Sequence, residues 1–458
     1  MLAATFLFLA QLVLTPCTIN GVNGPTRCGN YQVWENRSTQ QGRKLDLSII
    51  VIESLTTPKQ PDPLFVIAGG PGDAPSFNAS FFSRAFGAIR QTRDLVLVDL
   101  RGTGKSNALT CPELNDPDET GYLDENILSL PALKRCRARL EQSADLRQYT
   151  TQIAVDDLED VRRALGYGQI NLYGTSYGTR VAQVYMRRHA ASLRTVSMKG
   201  VVPPSLASPS THARAGEEAW QRLIKRCRED ALCAREYPTP NEDLQAVLKR
   251  LESTPAFSVP VKIRISPGLF SENFRFFLYS PENEMRGLQL LKDIVHLDKP
   301  GLVETSLAAR RLLAGDRLAA GFFLSVSCTE DIPFLPKDTA SLVTGTFGGD
   351  YRLKQQIGAC TVWPNGTLSS GHRTVTKSDI PTLLMSGEFD PVTPPSGAEE
   401  VLKGLSRGLH VVVRNNGHPI GSAEQCIGNM IKSFIDKGEV KQLDTSCADK
   451  NPPVPFKL

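Results

Sequence analysis

Hydrophobic and polar positions along the chain follow two rhythms. Short, unbroken apolar runs bounded by turn residues occur at 63–68 (PLFVIA), 95–99 (LVLVD), 170–173, 381–386 and 410–414. Runs of this length, rich in β-branched residues, predict buried strands of a parallel sheet. Residues 195–202 predict one more strand, and residues 28–37 and 45–53 predict opening antiparallel strands at a sheet edge. Between these runs the period changes to that of a helix. Ala154, Leu158, Val161 and Leu165 share one face of a helix, and Gly166 stands where a terminating glycine belongs. Further helices are predicted over 179–189 and 423–436.

The strand–helix alternation breaks between 203 and 374, where helical patterns dominate at 212–235, 243–251, 285–297 and 302–314. The chain therefore reads as α/β class, with a mostly parallel central sheet and helices on both faces. It divides into a signal segment (1–16), a first core part (17–202), an inserted helical lid (203–374) and a second core part (375–458).

Composition narrows the picture. With 458 residues, 41% hydrophobic, the chain is long enough for one large core plus an insertion. A net charge of +4 with no basic run argues against nucleic acid as a partner. Residues 2–14 are apolar and precede the first charge at Arg27, a length that suits a signal peptide and is too short for a stable membrane span. Cys17 follows this run, but Pro16 before it disfavours a lipid anchor. Ten cysteines fall into neighbouring pairs, Cys17 and Cys28, Cys111 and Cys136, Cys227 and Cys233, Cys328 and Cys360, Cys426 and Cys447. Local disulfides in an oxidising compartment are the expectation, and buried free thiols the alternative. The expected location is thus secreted or periplasmic.

Chemistry concentrates at Gly174-Thr175-Ser176-Tyr177-Gly178, a G-x-S-x-G turn between a strand and a helix. Such a turn pushes the serine Oγ outward from a strained backbone, and small residues on either side let the opposing backbones approach. A serine hydroxyl needs a base, and the base needs a carboxylate to orient it. Each should follow a late strand. Asp390, in the proline-rich loop 387–394, is the expected acid, with Glu388 as competitor. Among six histidines, His418 sits in a loop past the last predicted strand and is the expected base; His189, His212, His296, His372 and His410 lie at a helix end, on a polar helix, in the lid or at a strand start. Oxyanion donors are expected from the Tyr177 N–H and from the loop 69–72 (GGPG). No metal cluster or full P-loop is present, so neither metal nor other cofactor is expected.

Gly69-Gly70-Pro71-Gly72, Asp99-x-Arg101-Gly-x-Gly104-x-Ser106, the elbow around Ser176, the loop 387–394 and Gly417-His418 together resemble the secreted tripeptidyl aminopeptidase and prolyl iminopeptidase group. The resemblance runs from about Cys28 to Cys447 and includes the cysteine pairs. It implies an α/β-hydrolase fold and a serine exopeptidase, a monomer acting on peptides with a free N-terminus. Ser176 would be the nucleophile, His418 the base and Asp390 the acid, with Tyr177 and Gly70 as oxyanion donors. Acidic lid residues hold the substrate ammonium in such enzymes, and Glu330 and Asp331 match by position. Ala68, where a histidine often stands in prolyl iminopeptidases, points to the tripeptidyl branch. An esterase with the same triad is the alternative, and a silent binding protein the reading from another class.

Overall fold

The computed structural model describes residues 12–117, 121–253, 256–257, 262–295, 301–303, 306–307, 311, 313, 315 and 317–456. A nine-stranded sheet organises them. In chain order its strands are β1 (Thr15–Pro16), β2 (Thr26–Trp34), β3 (Lys44–Ile52), β4 (Leu64–Ile67), β5 (Leu95–Val98), β6 (Ile170–Thr175) and β7 (Leu193–Lys199). A separate two-stranded sheet, β8 (Ala256–Phe257) and β9 (Ile263–Arg264), lies in the insertion, and β10 (Thr382–Gly387) and β11 (Gly408–Val413) complete the large sheet. The large sheet runs β1-β2-β3-β5-β4-β6-β7-β10-β11. β1, β2, β3 and β5 pair antiparallel, and every pair from β5 to β11 is parallel.

The parallel strands are buried, which accounts for their continuous apolar runs. Helices Thr151–Ala164 and Tyr177–Arg188 pack with one apolar cluster of the core, and Ala79–Ala85 and Glu424–Lys437 with the other. The helix predicted over 154–165 thus begins three residues earlier, where Thr150 in extended conformation precedes it. The consequence for chemistry is directional. β4, β6, β7, β10 and β11 all end on the same edge of the sheet, and the loops that leave them carry Gly70, Ser176, Gly200, Asp390 and His418.

Between β7 and β10 the described chain is mostly helical, including His212–Glu229, Pro240–Ser253, Pro267–Arg275, Pro281–Val295, Ala320–Glu330 and Tyr351–Cys360. The β8–β9 hairpin interrupts this pattern. Ala320–Glu330 is buried along its whole length, so it carries no polar face to give it a helical period. The expected helix 302–314 and His296 lie largely outside the described residues, as do residues 1–11 of the expected signal segment. Of that segment residues 12–16 are described: Leu12 and Leu14 pack on the core and Thr15–Pro16 pairs with β2.

Five disulfides join Cys17 to Cys28, Cys111 to Cys136, Cys227 to Cys233, Cys328 to Cys360 and Cys426 to Cys447. Among the described residues, the group Cys111, Glu113 and Cys136 has metal-type donors, but its two sulfurs are bonded to each other. No described helix is long and apolar enough to cross a membrane.

The Asp99–Ser106 motif is a brace. Arg101 is fully buried and grips Asp157 with two hydrogen bonds of 2.6 and 2.8 Å, while donating to the carbonyls of Trp34, Glu35 and Gln148. Asp99 accepts from the N–H and hydroxyl of Ser76 and from the N–H of Lys105. A Cβ on Gly104 would lie 2.3 Å from the Asp99 carboxylate, which is why that position is glycine. The brace thereby fixes the short helix Pro75–Asn78 that follows the glycine loop.

Candidate active site

Ser176 stands between β6 and helix Tyr177–Arg188 with φ 54° and ψ −122°. A non-glycine residue in this region is strained by about 1–3 kcal/mol and persists only when its surroundings hold it. Three hydrogen bonds do so here. The Ser176 N–H donates to the Lys199 carbonyl at 2.9 Å, and its carbonyl accepts from the N–H and the hydroxyl of Thr179 at 2.9 and 2.6 Å. The flanking glycines are a steric necessity. A Cβ on Gly174 would come within 2.3 Å of the Gly178 carbonyl oxygen, and one on Gly178 within 2.7 Å of the Ile67 and Ala68 carbonyls.

Asp390 and His418 meet from the ends of β10 and β11. His418 Nδ1 lies 3.0 and 2.9 Å from the two Asp390 oxygens. The carboxylate also accepts from the N–H groups of Val392 and Thr393 and from the Thr393 hydroxyl, at 2.8, 2.9 and 2.8 Å. Burial would raise the Asp390 pKa, but the neighbouring His418, Lys199 and the Thr393 N–H outweigh it and hold it at about 2. A carboxylate held ionised at neutral pH in this contact favours the imidazole tautomer with its proton on Nδ1, which leaves Nε2 able to accept one. The competitor Glu388 turns elsewhere and accepts from the Asn415 N–H.

Lys199 links the two halves of this arrangement. Its carbonyl takes the Ser176 N–H, and its buried ammonium donates to the carbonyls of Gly417 and His418 at 2.9 and 3.1 Å. Burial lowers its pKa to about 8, against a smaller opposing pull from Asp390. On the other side, the His418 N–H donates to the Tyr279 carbonyl at 2.7 Å and the Tyr279 ring meets the imidazole edge-on.

Ser176 and His418 open into a cavity of about 240 Å³. The glycine loop forms its near wall: Gly70 and Pro71 line it, and a Cβ on Gly69 would lie 3.0 Å from Ser176 Cβ. Tyr177 opens its helix, so its N–H belongs to a first turn whose N–H groups have no partner within the helix. The insertion supplies the far wall, with His212, Arg275, Tyr279, Leu318, Phe323 and Arg352. It also touches the glycine loop directly, where the Ala319 N–H donates to the Gly72 carbonyl at 3.0 Å.

Glu330 and Asp331 do not reach this cavity, which corrects their expected role. Arg180 holds both, at 3.6 Å from Glu330 and 2.8 Å from Asp331. Glu330 also accepts from the N–H and hydroxyl of Thr151, both at 2.7 Å, and Asp331 from the Ser208 N–H. Buried in these contacts and absent from the cavity lining, neither meets a substrate ammonium there. Among the described lining residues the one carboxylate is Asp73, whose pKa burial raises.

The elbow, the acid loop and the His418 loop were visible as motifs. Lys199, Tyr279, Arg275, Arg352 and the pocket role of His212 were not. Lys199 ends β7, whose last five residues are all buried, an unusual place for a lysine. Arg275 and Tyr279 are neighbours at i,i+4, but His212 and Arg352 come from other helices of the insertion, and no local spacing joins them to that pair.

Residues 345–447 match a family model described as TAP-like protein, a span that includes Asp390 and His418. Serine protease Hip1 of Mycobacterium tuberculosis is 22% identical over 477 residues, covering 94% of this chain and 90% of the relative. Tripeptidyl aminopeptidase of Streptomyces coelicolor is 22% identical over 462 residues, covering 94% and 84%. A proline iminopeptidase structure from Mycobacterium smegmatis is 16% identical, covers 89% of this chain and 98% of that one, and superposes with a TM-score of 0.45.

Proposed function

We propose that this chain, whose residues 345–447 match the TAP-like family model and which is similar over most of its length to a serine protease and a tripeptidyl aminopeptidase, is a serine peptidase that releases residues or short peptides from peptide N-termini. The observation that carries this reading is the Asp390–His418 contact beside a strained Ser176, at the mouth of one cavity. Ser176 Oγ attacks the scissile carbonyl while His418 Nε2 takes its proton. The oxyanion is held by the N–H groups of Tyr177 and Gly70. His418 then gives the proton to the leaving amine, and water, deprotonated by the same nitrogen, hydrolyses the acyl-enzyme. Asp390 keeps the imidazole oriented and stabilises its charged form throughout. No cofactor or metal enters this scheme.

The insertion over 203–374 acts in this reading as a lid, since it closes the far side of the cavity and limits the length of the acyl segment. The carboxylate open to a substrate ammonium is Asp73. A chain stapled by five disulfides suits an oxidising, extracytoplasmic site of action.

Ser176→Ala should abolish turnover and covalent labelling by a fluorophosphonate; a variant that kept full activity would remove Ser176 from its role. Peptidyl anilides with a free amine should turn over at least about tenfold faster than N-blocked ones, the worth of one charge-assisted contact. Turnover of p-nitrophenyl esters alone, with every anilide inert, would make the protein an esterase instead.

A further inference from the structure

The far wall of the cavity carries more positive charge than it neutralises. Arg275 and Arg352 both lean on one carboxylate, Glu272, and they share the same oxygen: Arg275 Nη2 and Arg352 Nη1 stand 2.9 and 3.1 Å from Glu272 Oε1. All three side chains are largely or wholly buried. Burial would raise the Glu272 pKa, yet the two guanidiniums win and lower it, so the carboxylate stays ionised. Two guanidiniums against one carboxylate leave one surplus positive charge at the edge of a cavity. The opposite balance holds around Arg180, where one guanidinium faces Glu330 and Asp331. A surplus buried charge is costly unless a counter-charge meets it.

His212 belongs to the same wall. Burial, and then the two guanidiniums, press its pKa well below the ordinary value, so the ring is neutral. Its Nδ1 is buried and makes no hydrogen bond. Arg275 also donates to the Tyr279 hydroxyl at 2.9 Å, and the Tyr279 carbonyl holds the His418 N–H. The cationic wall is thus mechanically continuous with the loop that carries the base.

We propose that Arg275, Arg352 and His212 form a subsite for a carboxylate of the substrate, so that the enzyme selects peptides that present one there. This deepens the peptidase reading and rests on it. A carboxylate entering the cavity supplies the missing negative charge and can accept paired N–H bonds from a guanidinium fork. It comes either from an Asp or Glu side chain or from a free C-terminus, and the two sources are separable by experiment.

The test is calorimetric binding of three tripeptides to the Ser176→Ala variant: Ala-Glu-Ala amide, Ala-Gln-Ala amide and Ala-Gln-Ala with a free C-terminus. A carboxylate-bearing peptide should bind at least about tenfold more tightly than the neutral amide, the worth of one charge-assisted pair. The glutamyl amide reports a side-chain site and the free acid a terminal one. Adding Arg352→Gln should bring the ratio below about threefold. Arg352 is the less buried of the two arginines, and the ratio within one variant cancels any general loss of folded protein. Glu272→Gln, which adds net positive charge to the wall, should raise the ratio. Equal binding of all three peptides, or a preference that Arg352→Gln leaves intact, overturns the proposal. Wild-type turnover of a glutaminyl anilide separates the two readings. Turnover without acid preference sinks the subsite alone. Acid preference in binding, with every peptide left uncleaved, sinks the peptidase reading alone.

Discussion

Lys199 makes two different contacts at once, a backbone one to Ser176 and a side-chain one to the His418 loop. Lys199→Met should therefore lower kcat by at least about tenfold with a smaller change in KM, because it loosens the base without touching the cavity wall. Arginine is too large for the site and should not restore the rate. The same residue has a signature in stability. Its pKa falls from the ordinary 10.5 to about 8 on folding. Between these values the unfolded chain binds the extra proton, so stability rises with pH from about 8 to about 10.5 and levels above. The buried shift amounts to about 3 kcal/mol. Urea midpoints measured from pH 7.5 upward under non-reducing conditions should show this rise in the wild type and lose it in Lys199→Met; parallel curves would contradict it. Asp73 tests the other polar wall: Asp73→Asn should raise KM for free-amine anilides by about tenfold and leave N-blocked ones unchanged.

At the scale of elements, what could be read in advance divides sharply. The elbow was legible because its constraint is local: Gly174 and Gly178 are required by backbone atoms 2.3 and 2.7 Å away, so the spacing itself records the geometry. Gly174→Ala should therefore destabilise the fold by at least about 3 kcal/mol, measurable as a drop in the thermal midpoint. The parallel strands were legible as apolar runs for the same reason, being buried on both faces. Helix Ala320–Glu330 was not, because burial on all sides removes the amphipathic period. His212 read as a residue of a polar helix, yet its ring faces the cavity. Arg275, Arg352 and His212 come from three helices, and their meeting is a property of packing that no periodicity encodes. The Cys328–Cys360 bridge fastens two of the pieces that shape this wall, Ala320–Glu330 with Phe323 and Tyr351–Cys360 with Arg352. Replacing both cysteines with alanine should cost about 3 kcal/mol and raise KM more than it lowers kcat.

Across the whole molecule, the Arg101 brace ties the end of β2, the loop after β5 and helix Thr151–Ala164 into one body. Arg101→Met should destabilise the protein by about 3–5 kcal/mol, because it strands a buried Asp157 with only Arg37 left to meet it. A thermal midpoint unchanged by that substitution would show the brace to be dispensable. The disulfides act over a shorter range, for each cysteine is bonded to the next one in the sequence and the widest separation is 32 residues. No bridge spans the insertion, so the two portions of the sheet on either side of it are joined by peptide bonds alone. A single proteolytic cut between Cys233 and Cys328 would leave two fragments with no covalent link, separable on a denaturing gel without any reductant. The same nested-free connectivity lets each staple close as soon as its own short segment has emerged, with no partner awaited from the far end of the chain.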